Sequence, residues 1–79
     1  MTQTQTVLTH LQRRGSISPM EALTSYGIYR LAAEIYRLRE EGYGIFTHNK
    51  KDEAGHKYAR YEYVYDNRGV PVQAVRAVH

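Results

Sequence analysis

Apolar positions along the chain change period once, near residue 43: before it they recur at helical spacing, and after it they alternate. Val7, Leu8 and Leu11 mark a first helix over 3–14. Arg13-Arg14 and then Gly15 close it, with basic residues in a last turn and a glycine just beyond. A second helix starts at Ser18, whose side chain is an N-cap, with Pro19 where a missing N–H costs nothing and Glu21 completing a capping box. Ile17, just before the cap, is placed to pack on Ala22 or Leu23, and Tyr26-Gly27 ends the helix. A third helical pattern runs from about Ile28 to Glu41 and stops at Gly42. At 100° steps it gathers Ile28, Leu31, Ala32, Ile35 and Leu38 into one apolar arc, with Arg39 the one charged intruder. The opposite arc holds Tyr29, Arg30, Ala33, Tyr36, Arg37 and Glu40.

From Tyr43 to His48 the residues are β-branched or aromatic and predict a strand. Asn49 to Gly55 is polar, ends in glycine and predicts a hairpin loop. Lys57 to Tyr65 then alternates, with Ala59, Tyr61, Tyr63 and Tyr65 on one side and Arg60 and Glu62 on the other. Three helices followed by a two-stranded hairpin make an α+β domain in the order of a winged helix-turn-helix, in which the second helix of the pair is the reading helix. This domain spans residues 1–65. Residues 66–79 form a C-terminal tail in which Val70-Pro71-Val72 onward is a short edge strand or a frayed end.

Composition narrows the function. Seventy-nine residues admit one thin core, and the absence of cysteine removes both disulfides and cysteine zinc sites. No apolar run approaches a membrane span and no signal-peptide pattern follows Met1, so a soluble cytoplasmic chain without a membrane partner is expected. Phosphate loops, zinc-protease and serine-nucleophile motifs are missing, and His10, His48, His56 and His79 are scattered, although His48 and His56 flank the hairpin loop. Neither an enzyme nor a cofactor is expected. The net charge of +3 suits a polyanion but is spread without any block of like sign.

The stretches Ser18-Pro19-Met20-Glu21-Ala22-Leu23, Tyr26-Gly27-Ile28-Tyr29-Arg30-Leu31 and Leu38-Arg39-Glu40-Glu41-Gly42-Tyr43 resemble the small helix-turn-helix domains encoded by phages and prophages. Lys57-Tyr58-Ala59-Arg60-Tyr61 resembles that family's second wing strand, and the likeness covers roughly residues 3–65. It implies a winged helix that binds DNA in a bacterial host's cytoplasm.

The outward face of the third helix is the main candidate site. Ala33 keeps its centre slim, Arg30 and Arg37 offer forked donors that match guanine, Tyr29 can bond a phosphate or stack, and Tyr36 is a further DNA-binding candidate on the same face. The same face also reads as solvated, with Arg30–Glu34 and Arg37–Glu40/Glu41 pairs that cancel its charge. Lys50, Lys51 and Lys57 stand where a wing touches the sugar-phosphate backbone or minor groove, while Arg13 and Arg14 either clamp phosphates or complement a helix dipole. The expected function is sequence-specific binding of double-stranded DNA by a small transcriptional regulator or architectural factor of a mobile element, with a homodimer compatible. The alternative is a module that binds a host protein. Eight tyrosines and an apolar tail (Val70, Val72, Val75, Val78) suit such an interface equally well.

Overall fold

The structure, a computed structural model, describes residues 2–65. The expected tail at 66–79 lies outside the described residues. Helix α1 spans Gln3–Arg14 and carries a capping box: the Thr2 hydroxyl accepts from the Gln5 N–H and the Gln5 side chain accepts from the Thr2 N–H, both at 3.1 Å. Helix α2 spans Pro19–Tyr26, and its start is as the sequence predicts. The Ser18 hydroxyl accepts from the Glu21 N–H at 3.2 Å, and the Glu21 carboxylate accepts from the Ser18 N–H at 2.9 Å. Ile17 and Ala22, on either side of this cap, are both fully buried, whereas Leu23 is exposed.

The turn between the helices corrects one expectation. Helix α3 spans Leu31–Glu40, not Ile28 onward. Gly27 takes a left-handed φ of 67°, which an L side chain adopts only with strain, and its N–H donates to the Leu23 carbonyl. The Ile28 N–H then reaches back to the Ala22 carbonyl at 3.0 Å. The chain thus folds back on α2 and drives the Ile28 side chain into the core. Ile28 is buried as the anchor of the turn, not as a helical residue, and Tyr29 and Arg30 belong to that turn.

The sheet is larger than the sequence suggested. Strands β2 (Ile45–Lys51) and β3 (Lys57–Tyr63) form the expected hairpin, with Ile45 opposite Tyr63 and Lys51 opposite Lys57. A third strand, β1 (Ser16–Ile17), pairs antiparallel with β3 on its other side, giving the order β1-β3-β2. Two residues are too few to carry a period, so nothing in the sequence announced β1. Its pairing matters because it places Ile17 beside Tyr61 and fixes the start of α2 against the sheet. Asn49, Lys50 and Lys51 also prove to be the end of β2, and the loop is reduced to 52–56.

One continuous core joins all of these elements. Val7 and Leu11 from α1, Ile17, Ala22 and Ile28, and Leu31, Ile35 and Leu38 from α3 meet Ile45, Tyr61 and Tyr63 from the sheet. Among the described residues no helix is long and apolar enough to cross a membrane.

Candidate nucleic-acid interface

The spacing of α3 decides which of its residues face outward. Counting from Leu31 by three, four and seven gives Glu34, Ile35 and Leu38, and all four are buried. Ala32, assigned to the apolar arc from the sequence, lies off that stripe and is exposed. The outward surface is therefore Ala32, Ala33, Tyr36, Arg37 and Glu40, continued at its N-terminal end by Arg30 and Tyr29 from the turn. Tyr29 is 85% exposed and Tyr36 64%, so neither ring is used by the core. Arg30 occupies the N-cap position, and its side chain makes no capping bond.

Glu34 is the largest revision. It does not pair with Arg30 on the surface. It is 5% exposed, and its carboxylate accepts a 2.6 Å hydrogen bond from the Thr4 hydroxyl of α1. The Arg37 guanidinium lies 3.4 Å from the same oxygen, so Arg37 pairs back to Glu34 and not forward to Glu40 or Glu41. A position in the buried stripe of α3 was the available signal for this role. Glu40 instead faces Tyr36, where its hydrogen bond and charge push the phenol above its ordinary pKa.

The remaining basic residues fall into two further groups. Lys50, Lys51 and Lys57 line one open surface cleft together with Asn49, Tyr58 and Ala59 at the far end of the hairpin. Arg13 and Arg14 stand exposed in the last turn of α1, where they line a second cleft with Thr6, Thr9, His10 and Tyr26. The two wing histidines do not converge. His48 bonds Glu62 across the strands at 2.8 Å, and His56 lies 3.3 Å from Asp52 in the loop. Among the described residues there is no group of three metal-ligating side chains.

Two arginines that the sequence did not single out as functional hold the hairpin to the helices. Arg39, the charged intruder of the apolar arc, donates to the Ile45 carbonyl and to the Thr47 hydroxyl of β2. Arg60 of β3 donates to the Ser16 hydroxyl at 2.8 Å and lies 3.2 Å from the Glu21 carboxylate. Burial pushes Glu21 up, but the Ser18 N–H, Arg60, the Ser18 hydroxyl and His10 together outweigh it and hold the carboxyl below its ordinary pKa.

A helix pair joined by a four-residue glycine turn, with a sheet that projects a charged hairpin, is the architecture of DNA-binding winged helices. No curated protein and no solved structure gives a significant match to the chain. The family comparison agrees with the architecture. Its match covers residues 2–64, all but one of the described residues, and the chain belongs to the winged helix-turn-helix domain family.

Proposed function

We propose that this domain binds double-stranded DNA sequence-specifically, with the outward face of α3 in the major groove and the wing lysines on the sugar-phosphate backbone. The observation that carries this reading is the withdrawal of Glu34 from the surface. With that carboxylate turned inward onto Thr4, the outward face keeps two flat alanines between Tyr29-Arg30 at one end and Tyr36-Arg37 at the other. A slim centre lets the helix approach the base edges, and forked guanidinium groups match the acceptors of guanine. The surface acids, Glu40 of the helix and Glu41 at its C-cap, stand at the C-terminal end, beyond Arg30 and Arg37. Lys50, Lys51 and Lys57, together with Arg13 and Arg14 of α1, supply charge that positions a duplex without reading it.

In this reading the protein is a small transcriptional regulator or architectural factor of a phage or other mobile element. It works in the host cytoplasm without a cofactor. A titration of labelled duplex DNA by fluorescence anisotropy at several salt concentrations tests it. Affinity is expected to fall steeply as salt rises, with a log–log slope of about 0.9 per phosphate neutralised. The second reading, a protein-binding module, is favoured by the exposure of Tyr29 and Tyr36. Binding that is feeble at low salt and indifferent to salt selects it instead.

A further inference from the structure

The backbone between α3 and the wing is short, and its Gly42 and Tyr43 N–H groups donate back to the Arg39 and Leu38 carbonyls at 3.0 and 3.1 Å. Residues 41–44 read Glu41-Gly42-Tyr43-Gly44, two glycines in four, and Gly42 is left-handed with φ of 100°. Those two bonds close α3 without reaching β2. Arg39 spans the connector with side-chain bonds. Its Nε and Nη2 donate to the Ile45 carbonyl at 3.1 and 2.8 Å, and Nη2 also donates to the Thr47 hydroxyl at 2.7 Å. The Gly44 carbonyl accepts from the Val64 N–H on the β3 side. By antiparallel alternation the Ile45 carbonyl faces away from β3, and there the Arg39 fork covers it. Arg60 restrains the other side of the sheet through Ser16 and Glu21.

From these contacts we infer that Arg39 is a positioning residue. It fixes the direction of the wing relative to α3, so that the reading face and Lys50-Lys51 engage one duplex together. The inference rests on the DNA reading above. Its lever arm is long: Lys51 stands six residues beyond Ile45, about 20 Å along an extended strand, so a tilt of about 10° at the base moves the tip by about 3 Å. That displacement breaks a phosphate contact. Arg39 spends Nε and Nη2 on the protein, and comparing its Ala and Lys variants separates this positioning role from a direct phosphate contact. Lysine keeps the charge but has a compact ammonium that cannot reproduce the fork.

The experiment compares duplex affinity for the parent, Arg39→Ala, Arg39→Lys, Lys50→Ala/Lys51→Ala and the combination of Arg39→Ala with the two lysine changes, each checked for parental circular dichroism. Arg39→Ala and Arg39→Lys are expected to lose affinity alike, about tenfold, which a direct charge contact would not do. The lysine changes should cost much less in the Arg39→Ala background than in the parent, and an equal cost in both overturns the inference. Residual dipolar couplings of the free protein give an arm independent of DNA. Wing and helix amides should fit one alignment in the parent and two orientations in Arg39→Ala. If the Arg39→Ala couplings still fit the parental arrangement, the positioning role is wrong, whatever the DNA result. If the wing reorients but the parent binds no duplex, the positioning role stands and the DNA reading fails.

Discussion

Ile35 sits in the middle of the buried stripe of α3 and touches solvent with only 1% of its surface. Truncating it leaves a cavity in a core too small to collapse around it, so Ile35→Ala is expected to cost about 2–5 kcal/mol in denaturant unfolding. Ser18 acts more locally. Ser18→Ala strands the Glu21 N–H and should cost about 0.5–2 kcal/mol. Glu21 also gives the domain a pH dependence. Its folded-state pKa is depressed, so its contribution is present above the ordinary carboxylate value of 4.5 and is lost as pH falls through the folded value. Glu21→Gln should flatten the decline in melting temperature on acidification below that point. An unchanged acid limb would mean that other carboxylates govern it. The burial of Glu34 could be read from its place in the stripe of α3, but its partner could not, because Thr4 lies thirty residues away and no local spacing reveals a tertiary hydrogen bond. Read as a surface acid, Glu34 would tighten DNA binding when removed. As a buried acceptor it should instead destabilise the fold when replaced by Ala, by stranding the Thr4 hydroxyl.

At the scale of elements, the termini of α1 and α2 were legible because caps and left-handed glycines are written in consecutive residues. The start of α3 was not, because Ile28 satisfies the apolar period of the helix while its backbone serves the closure of α2. That revision changes what Arg30 can do. Standing at the N-cap without a capping bond from its side chain, it is held by one turn, whereas Arg37 is held by the helix and by Glu34. Both should read bases on the DNA hypothesis, and Arg30→Ala or Arg37→Ala is expected to cost about 1–3 kcal/mol of binding and to relax preference at particular base pairs. Lys50→Ala and Lys51→Ala should each weaken binding to all sequences alike and reduce the salt slope by about one, the share of a single phosphate. A panel of duplexes varied one base pair at a time separates the two outcomes. Uniform weakening by all four variants would remove α3 from the groove.

For the whole molecule, the order of helices and hairpin could be read from the change of period, whereas the closure of the sheet could not. Strand β1 exists only because β3 offers it a partner more than forty residues away, and Tyr63 completes that joint by donating to the Gly15 carbonyl at 2.8 Å. With this joint made, the core among the described residues runs from Val7 to Tyr63, and Tyr65 packs edge-on against Tyr63 at 5.2 Å. The family match likewise ends at residue 64. A chain ending at Tyr65 is therefore expected to unfold in one cooperative transition at the midpoint of the full chain, measured by thermal circular dichroism. The comparison is sensitive, because in a domain of this size about 1 kcal/mol of lost packing lowers the midpoint by roughly 4–8 °C. A fall of that size on removing 66–79 would mean that the valine-rich segment packs against the domain and belongs to its fold.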